Sequence, residues 1–422
     1  MRILFFTENF PPETNAAATR VFERACYWAK WGHEVTVITC APNFPEGRVY
    51  DGYRNAWYQT EEMSGIRVVR VKTYIAANRG TLRRMADFIS FFFTGSVAGI
   101  FQARHDVVVA TSPQFFSAVA GWFTGLIRRT PFVFELGDIW PKSITAVGAM
   151  KKSTLLSLFE KLELFLYRRS AAVIALTRSF KRDLVSRNID GDKIAIVING
   201  VDLPRYAPRD RDAELAAEWD LTDRFVVGYV GTHGMAHALS NVVGAAEVLK
   251  QRGEDRVVFM LAGAGAEREM LIERATASGV AGKQMRFLPM QPKERMPAVW
   301  SLCNVALVHL KDSPTFAEVI PSKIFEAMGM GLPVLIAAPE GEATAIVHDD
   351  AAGLVVAAED PEALADAAVR LLDDEALRTS LAANSHAAAN LHSRETQARQ
   401  FIDVLDDVIA GRGATAGRDH TA

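Results

Sequence analysis

Short runs of β-branched and other apolar residues alternate with segments of helical periodicity along most of the chain. In the first half, these runs begin at Ile3, Val35, Val68, Val107, Phe132, Val173 and Ile194. The segment between the first two runs has apolar residues at helical spacing, namely Val21, Phe22, Ala25, Trp28 and Ala29. Apolar strands that alternate with helices are typical of parallel sheets covered on both faces. The sequence therefore predicts a doubly wound α/β fold.

A second series of apolar runs follows a polar stretch over residues 199–224, which contains Pro204 and Pro208 and is typical of a linker. The second series begins at Val226, Val258, Met285, Val305, Val334 and Leu354. Because 422 residues exceed what one hydrophobic core usually supports, we expect two Rossmann-like domains, 1–202 and 203–394. A helix over 395–410 is a candidate for packing back on the first domain, and residues 411–422 are expected to be disordered.

The composition indicates an ordinary globular protein. Hydrophobic residues make up 49% of the chain and the net charge is -3, so we expect no nucleic-acid partner. Cys26, Cys40 and Cys303 are too few and too far apart for a disulfide framework or a metal cluster. The first apolar run turns polar after Phe6, too soon for a signal peptide, and the longest apolar stretch, 88–101, is shorter than the ~20 residues of a spanning helix. We therefore expect a cytoplasmic protein without a transmembrane segment.

Two loops with glycines follow predicted strands of the second domain. Residues 228–234 place glycines between a strand and a helix, where backbone amides can approach a phosphate. Residues 263–265 follow the next strand. Ligands of open parallel sheets bind beyond the carboxyl ends of the strands. Taken alone, both loops fit chain turning or tight packing as well as ligand binding, and these alternatives stay open.

A third loop carries the most specific pattern. Glu318 precedes a helix candidate that opens with Pro321 and Ser322, and Glu326 lies on this helix. Lys323, between the two carboxylates, and the helix N-terminus suit a diphosphate, and carboxylates accept hydrogen bonds from ribose and sugar hydroxyls. The alternative is that Glu318 is a solvated loop residue and Glu326 a surface residue. The apolar neighbours of Glu326 argue against that alternative.

Glu318 and Glu326, separated by seven residues and followed by Ala-Met-Gly-Met-Gly-Leu-Pro-Val, resemble the signature of the retaining GT-B glycosyltransferases of glycosyltransferase family 4. Further agreeing segments are Phe10-Pro-Pro-Glu13, Gly32-His-Glu-Val-Thr-Val37, Asp138-Ile-Trp-Pro141, Ile198-Asn-Gly-Val-Asp202 and Gly228-Tyr-Val-Gly-Thr-His-Gly234. They are similar to members that build bacterial O-antigen, capsule and colanic-acid-type polysaccharides, including transferases of N-acetylfucosamine and fucose. The resemblance implies an α/β GT-B fold, in which two Rossmann-like doubly wound domains face an interlobe cleft.

The resemblance also implies a function, the transfer of a hexose from a nucleotide-sugar donor to a polyprenyl-diphosphate-linked saccharide acceptor in lipopolysaccharide or exopolysaccharide biosynthesis. Glu326 would bind the donor ribose, Glu318 would face the donor sugar, and Lys323 would lie near the diphosphate. The other donor-binding candidates are Gly231, Thr232, Ile320, Pro321 and Ser322. Retention in this family is understood as front-face attack, in which the leaving phosphate receives the acceptor proton. We therefore expect no separate general base, no metal and no other cofactor.

The chain departs from the family pattern at three positions. Thr232 and His237 stand where many members carry an Arg and a Lys that neutralise the leaving diphosphate, and Gly137 stands where many carry a His. Because charge on a departing phosphate must be stabilised, His237, Lys323 or the backbone would have to compensate, and cationic His237 is the substitute that we expect. A structural hydrogen bond is the alternative role of His237. Asp138 remains a catalytic candidate for orienting the acceptor or the donor sugar.

The loop after the first strand supplies candidates for contact with the acceptor or a phosphate. Ala16 is one of several small residues that leave space where this loop opens a helix. Arg20, one turn further on, can reach the acceptor or a phosphate across the expected cleft. A surface salt bridge on the same helix is an equally good interpretation of Arg20.

Two segments of the first domain combine basic and apolar residues. Residues 78–104 carry four arginines and five phenylalanines, a mixture typical of an interfacial segment. Residues 150–169 carry basic residues at both ends of an apolar helix candidate, where they can meet anionic lipid headgroups. Packing against the sheet is the alternative for both. We expect membrane docking, at the inner face of the cell membrane, for the first segment and packing for the second.

Other functions fit parts of the pattern. A nucleotide-sugar 2-epimerase of the same fold needs acid and base residues around the sugar, and the glutamate spacing argues against it. A non-catalytic nucleotide-sugar-binding subunit would tolerate the missing Arg, Lys and His. A dehydrogenase is disfavoured because the first strand leads into Pro11-Pro12-Glu13 without a Gly-x-Gly-x-x-Gly sequence.

Overall fold

The computed structural model describes residues 1–44, 46–75, 81–112, 114–139 and 154–412, with the backbone alone for residues 81–84 and 154–155. These residues form two compact units. The first is Met1–Ile198 with the segment that begins at Gln397, and the second is Asn199–Thr396. The division after Ile198 lies a few residues before the boundary placed at 202/203 from the sequence. Residues 413–422 of the expected disordered tail lie outside the described residues.

The first unit is built on a mainly parallel sheet. Its strands are β1 (Arg2–Phe6), β2 (Glu34–Cys40), β3 (Tyr58–Met63), β4 (Ile66–Val71), β5 (Val107–Thr111), β6 (Phe132–Leu136), β7 (Ala172–Ala175) and β8 (Ile194–Ile196). They form a sheet in the order β3-β4-β2-β1-β5-β6-β7-β8. Every pair is parallel except β3 with β4. The seven strands predicted in this half are confirmed, and β3 is an addition.

β3 is an edge strand that the apolar pattern does not indicate. Its residues, Tyr-Gln-Thr-Glu-Glu-Met, alternate between exposed and half-buried, so they form no apolar run. A two-residue turn at Ser64 and Gly65 joins β3 to β4, and both turn residues have positive φ, at 53° and 78°. Positive φ at both positions is what a tight type I′ hairpin requires. The tight turn, rather than a pattern of apolar residues, therefore accounts for this polar edge strand.

Helices cover both faces of this sheet. They are α1 (Ala16–Lys30), α2 (Thr81–Ile100), α3 (Phe115–Arg128), α4 (Thr154–Arg169) and α5 (Arg178–Ser186). Side chains alternate between the faces of a strand, so Leu4 and Phe6 of β1 join the core beneath α2 and α3. Ile3 and Phe5 join the core on the other face, with Val21 and other residues of α1. This two-sided burial confirms the doubly wound fold.

The second unit repeats the architecture with a six-stranded sheet. Its strands are β9 (Phe225–Val230), β10 (Val257–Ala262), β11 (Met285–Leu288), β12 (Val305–His309), β13 (Val334–Ala337) and β14 (Gly353–Val356), in the order β11-β10-β9-β12-β13-β14. Its helices are α6 (Ala213–Glu218), α7 (Ser240–Gln251), α8 (Arg268–Ala277), α9 (Met296–Ser301), α10 (Pro314–Ala317), α11 (Lys323–Gly329), α12 (Glu342–Asp349), α13 (Pro361–Asp373) and α14 (Glu375–Ala389). All six strands predicted in this half are present and parallel.

The last helix, α15 (Arg394–Ile409), packs on the first unit. Phe401 is fully buried, with its ring centroid 5.1 Å from that of Trp28 on α1. The indole Nε1 of Trp28 donates a hydrogen bond to the carbonyl of Ala398 at 2.9 Å. The guanidinium of Arg24 lies 4.0 Å from the Phe401 ring centroid. These contacts attach the C-terminal segment to the α1 face of the first sheet.

None of the helices in the described ranges is both long and apolar enough to span a bilayer.

We predict that Phe401→Ala destabilises the first unit by roughly 3–5 kcal/mol, because it removes a fully buried ring and leaves a cavity. Scanning calorimetry should show that the first unfolding transition occurs at a lower temperature. Ile409→Ala, on the same helix but with 41% of the residue exposed, should change it much less. Equal shifts for the two variants would contradict the packing described for α15.

Candidate functional site

The carboxyl end of β9 lies where the strand order of the second sheet reverses. β9 pairs with β10 on one side and with β12 on the other, so the loops that follow these strands diverge at this point. Ligands of doubly wound sheets bind at such switch points. The loop over residues 231–234 follows β9 and leads into a single helical turn, Met235–His237.

The two glycine-containing loops pack directly against each other. The amide of Gly231 donates to the carbonyl of Ala262, and the amide of His233 donates to that of Ala264, both at 2.9 Å. Gly263 has a φ of 149°, and a Cβ there would lie 2.0 Å from the carbonyl oxygen of Gly231. Tight packing is therefore one role of these glycines. The amides of Gly231 and His233 are already used, whereas no hydrogen bond within the described residues uses those of Thr232 or Gly234.

Lys323, the first residue of α11, points toward the loop after β9. It is 8% exposed, and its Nζ has no hydrogen-bond partner among the described residues. The ammonium lies 3.5 Å from the ring centroid of Tyr229, a cation–π contact. A Cβ at Gly231 would lie 2.9 Å from Nζ, so the ammonium occupies the space that a side chain at this glycine would fill.

The charge of Lys323 is poorly compensated. Burial lowers the pKa of Lys323 to about 7, and the attraction of Glu326 offsets only part of this effect. A buried ammonium without a hydrogen-bond acceptor is unfavourable. An anion beside Gly231 would supply both the missing charge and the missing acceptors. Because α11 has only seven residues, the lysine itself, rather than the helix terminus, is the main cationic feature here.

His237 differs from the cationic group expected from the sequence. Burial, together with the charge of Lys323, lowers the pKa of His237 to about 4, so its ring is neutral at pH 7. Its Nδ1 lies 3.4 Å from the carbonyl of His309, and the Nδ1 of His309 lies 2.8 Å from the carbonyl of His237. The Nε2 of His309 also contacts the side-chain amide nitrogen of Asn241 at 2.8 Å. The alternative role of His237, a hydrogen bond within the structure, fits this geometry better.

His233 belongs to the same cluster, and sequence reasoning missed it. The residue is fully buried, and neither ring nitrogen has a hydrogen-bond partner among the described residues. Burial, and the charges of Arg268 and Lys323, lower the pKa of His233 to about 4. In the sequence it reads as one more residue of a glycine loop. Its burial follows from the packing of that loop against residues 263–265.

Glu326 lies one turn after Lys323 on α11. The indole Nε1 of Trp300, a fully buried residue of α9, donates to Glu326 Oε2 at 3.1 Å. Burial raises the pKa of Glu326, while the hydrogen bond from Trp300 and the charge of Lys323 act in the opposite direction. The carboxylate is half-buried, so it is neither a solvated surface group nor a closed core group. Trp300, which orients it, is not part of the sequence pattern.

The remaining donor-binding candidates surround these residues. Glu318 is half-buried and directly follows the short helix α10, so it caps a helix rather than lying in an open loop. Ile320 is half-buried, Pro321 is buried and Ser322 is exposed at the start of α11. Thr232 is exposed. The structure thus brings Gly231, Lys323 and Glu326 into one region of the second unit.

In the first unit, Arg20 forms a buried ion pair rather than the surface salt bridge considered from the sequence. Its Nε lies 3.3 Å from Oε1 of Glu135, which is fully buried and also accepts a 2.7 Å hydrogen bond from Arg24. Arg20 Nη2 also donates to Thr111 at 3.3 Å. Burial acts to raise the pKa of Glu135, but Arg24 and Arg20 outweigh it, and the net shift is downward. Ala16 is exposed at the start of α1.

Gly137 and Asp138 follow β6 next to this ion pair. A Cβ at Gly137 would lie 2.5 Å from the carbonyl oxygen of Ser112 and 2.8 Å from Arg20 Nη2. A side chain at Gly137 would therefore require a shift of the Ser112 backbone as well as of Arg20. The amides of Gly137 and Asp138 donate to Ser112 Oγ at 2.9 and 3.2 Å, and Asp138 is half-buried.

A polar cluster at the carboxyl end of β1 was also missed. Asn9 donates to Glu13 at 2.8 Å, and Gln114 donates to Asn9 at 2.5 Å. Glu13, which is 2% exposed, accepts the amides of Asn43 and Phe44 at 2.8 and 2.9 Å. The sequence signal was present in the polar residues after the first strand, but residue type alone did not distinguish loop support from ligand contact.

Within the described part of the chain, no three His, Cys, Asp or Glu side chains are grouped so that they could hold a metal ion.

Two units with parallel α/β sheets define the GT-B class of fold. The Anabaena protein HepE, crystallised in complex with UDP, matches with a TM-score of 0.69 over 96% of this chain and 100% of its own, at 18% identity. That likeness concerns the fold.

Sequence comparison shows the family. Residues 15–200 match the Glycosyl transferase 4-like domain, and residues 211–387 match Glycosyl transferases group 1. The D-inositol 3-phosphate glycosyltransferase of Nocardia farcinica is 34% identical over 73% of this chain and 69% of its own. The colanic acid biosynthesis glycosyl transferase WcaI of Escherichia coli K12 is 25% identical over 78% of this chain and 82% of its own. The chain therefore belongs to this family of GT-B glycosyltransferases and is a transferase.

We predict that Lys323→Met stabilises the ligand-free protein. The folded state holds the lysine with a pKa of about 7, whereas in the unfolded chain its pKa is near the ordinary value of 10.5, so the unfolded state binds more protons between these pH values. The destabilisation by Lys323 is complete below pH 7 and falls as pH rises toward 10. Since one pKa unit corresponds to about 1.4 kcal/mol, we expect a gain of roughly 2 kcal/mol or more at pH 6.

Thermal unfolding of the two proteins at pH 6 and pH 9 measures this gain. The difference in stability should be smaller at pH 9. Lys311→Met, at an exposed position after β12, serves as the control and should change little at either pH. A destabilised Lys323→Met protein would show that the lysine is satisfied in the empty site.

Proposed function

We propose that the protein is a retaining glycosyltransferase that moves N-acetylfucosamine, fucose or a related hexose from a nucleotide-sugar donor to a lipid-linked saccharide acceptor. Its place would be in bacterial surface polysaccharide synthesis. The observation that carries the donor half is the buried Lys323 ammonium without a hydrogen-bond partner, close to the Glu326 carboxylate at a sheet switch point. The names of the relatives support it too: WcaI is named for colanic acid biosynthesis, and HepE was crystallised with UDP.

Lys323 would bind the donor diphosphate. Its ammonium reaches the space beside Gly231, where the amides of Thr232 and Gly234 could add neutral donors. Charge-assisted hydrogen bonds to phosphate are about twice as strong as neutral ones. The same contacts would strengthen as negative charge develops on the leaving phosphate. Because a lysine supplies this charge, the proposed reaction uses no metal and no other cofactor.

Glu326 would bind the donor ribose. Trp300 holds Oε2 from one side, and the half-buried carboxylate keeps acceptor capacity for hydroxyls. Glu318, half-buried at the end of α10, would face the donor sugar, and residues 320–322 would line the path between the two glutamates. His237 would contribute hydrogen bonding as a neutral ring rather than a positive charge.

The first unit would bind the acceptor. The strand order of its sheet reverses between the adjacent strands β1 and β5, so the chain leaves these two strands in opposite directions along the sheet. Arg20, fixed by Glu135, and Asp138 lie at the carboxyl ends of β5 and β6 and could orient an acceptor hydroxyl or contact a phosphate. The polyprenyl-diphosphate-linked saccharide is the acceptor that we propose, together with a location at the inner face of the cell membrane.

An apolar surface on α2 and α3 supports membrane docking. Its members are Phe93, Val97, Phe101, Leu126 and Ile127, and each is more than half exposed. Arg104 follows α2, Arg128 and Arg129 lie at the end of α3, and these arginines could meet anionic headgroups. Phe91, counted in the interfacial segment from the sequence, is instead fully buried in the core, and Arg79 lies outside the described residues.

The second candidate segment packs into the protein, as we expected from the sequence. Phe159 and Leu166 of α4 are buried in the core of the first unit. Lys151 and Lys152 lie outside the described residues. The membrane surface that we propose is therefore the α2–α3 patch alone.

We predict that Glu326→Gln weakens nucleotide-sugar binding about 10-fold or more, because a hydrogen bond to a charged group contributes about 1.5–3 kcal/mol. Calorimetry with a panel of nucleotide sugars measures the affinity. Glu362→Gln, whose side chain is 74% exposed on α13, is the matched control and should bind like the unaltered protein.

The same panel, incubated with a lipid-diphosphate-sugar acceptor, should give a longer glycolipid and free nucleoside diphosphate, with the anomeric configuration retained. Epimerised donor in the absence of acceptor would instead establish the epimerase. Binding with no turnover for any acceptor would leave the nucleotide-binding subunit as the correct function.

Membrane docking predicts that the protein floats with anionic vesicles and less with zwitterionic ones. Changing Phe93 and Phe101 to Ser should reduce flotation several-fold, because two exposed rings leave the lipid interface. Met290→Ser, at a residue of the second unit that is 73% exposed, is the control. Unchanged flotation of the double variant would exclude the α2–α3 patch.

A further inference from the structure

Two buried, basic side chains of the second unit have no hydrogen-bond partner among the described residues. Lys323 is 8% exposed and His233 is fully buried. The Lys323 Nζ and both ring nitrogens of His233 are without partners, although buried polar groups are normally satisfied. Two other histidines nearby, His237 and His309, do have partners in each other's carbonyl oxygens. Burial alone therefore does not explain why Lys323 and His233 are unsatisfied.

Both groups lie at the same place in the fold. His233 follows Gly231 in the loop after β9, and the Lys323 ammonium reaches the space that a side chain at Gly231 would fill. The Tyr229 ring is shared, with Lys323 Nζ 3.5 Å from its centroid and the His233 ring 6.1 Å away between centroids. Gly263 and Gly265 close the other side of His233.

The groups around Lys323 do little to stabilise its positive charge. β9 contributes neutral Tyr229, the following loop contributes His233 and His237, and β12 contributes His309. Among the described residues, the anionic group that acts on the lysine is Glu326 on its own helix, and that carboxylate is shared with Trp300. Arg268 adds a further positive charge near His233. An empty site with these neighbours disfavours a proton on either Lys323 or His233.

We propose that Lys323 and His233 form a proton-coupled anion site, in which binding of the donor diphosphate beside Gly231 draws a proton onto Lys323 and shifts His233 toward its protonated form. This inference rests on the proposed nucleotide-sugar donor. His233 acts here as a second proton acceptor and as a positioning residue behind the loop, because it is buried in the empty site. No bond other than N–H forms, and the proton comes from the solvent.

The sign of the effect follows from linkage. In the empty site, the pKa of Lys323 is about 7 and that of His233 is about 4. A neighbouring anion favours the charged form of a base, so it raises both values. Proton uptake by Lys323 should therefore be largest at pH 8, where the free protein is mostly neutral at this residue. At pH 6 the lysine is already charged, and uptake by it should fall.

The coupling gives the site a chemical advantage. A lysine that is neutral when the site is empty avoids a buried, uncompensated charge, and a lysine that is charged when the donor is bound stabilises the departing diphosphate. His233, close to the same anion, can also take up a proton as negative charge increases on the phosphate. The chain thus obtains a phosphate-binding cation without holding it permanently.

Calorimetry in buffers of different ionisation enthalpy tests the proposal. The probes are UDP-glucose, UDP-N-acetylglucosamine, GDP-fucose and GDP-mannose, whose diphosphate diesters do not titrate near neutral pH. We expect uptake of about one proton per bound donor at pH 8 and clearly less at pH 6. Lys323→Met should abolish the uptake at pH 8, and Lys311→Met should leave it unchanged.

The outcomes separate the two proposals. If none of the four nucleotide sugars binds, the proposed donor class is wrong, and the inference falls with it. If a donor binds at pH 8 without proton uptake, or if uptake persists in Lys323→Met, the proton-coupled site is wrong while the proposed function stands.

The protonation state of His233 can be measured directly in the folded, unaltered protein. Nitrogen-15 NMR of histidine-labelled protein distinguishes neutral from protonated rings, and His233→Gln assigns the signal. We expect the His233 signal to move toward the imidazolium position when donor is added at pH 5.5, and the His309 signal, whose ring nitrogens are both bonded, to move less. An unchanged His233 signal with bound donor would exclude His233 from the proton-coupled site.

Discussion

Parallel strands can be joined only through crossover segments, and this constraint determines where both units keep their polar residues. Each crossover brings the chain back to the same edge of the sheet, so the loops after β1, β5 and β6, and those after β9, β10 and β12, collect at carboxyl ends. Most of the strands are apolar and buried, whereas β3 is polar and β14 is half-buried. Charge is consequently concentrated at these ends, in Arg20 with Glu135 in one unit and in Lys323 with Glu326 in the other.

The two units differ in how their buried charged side chains are compensated. In the first, Glu135 is held by Arg20 and Arg24, and the arginines keep its pKa below the ordinary value despite burial. That group is satisfied by the fold and serves to fix the arginines. In the second, Lys323 has no hydrogen-bond partner within the described chain, so a positive charge on this lysine is unfavourable in the folded protein. Strain of this kind is common where binding, rather than stability, has been selected.

The sequence predicted the repeating architecture well because apolar runs are long and buried on both faces. Thirteen strands could be located in this way, whereas β3 could not, since its polar residues are ordered by a turn at Ser64 and Gly65. The spacing of Glu318 and Glu326 pointed to the region that we propose for the donor. It could not reveal Trp300, which meets Glu326 only through tertiary packing, nor the burial of His233. The protonation state of His237 was also beyond the sequence, because desolvation depends on neighbours distant along the chain.

The departures at Thr232 and His237 have a structural counterpart in Lys323. Relatives with a cation on the loop after β9 would place positive charge on the glycine loop itself, whereas this chain brings it from α11 into the space left by Gly231. The lysine is then close to Glu326, so the groups proposed for the diphosphate and the ribose are electrostatically coupled. Any substitution at one should alter the pKa of the other, because each is a principal charged neighbour of its partner in a desolvated site. The groups that we propose for the phosphate and the ribose therefore form one electrostatically coupled pair on a single short helix.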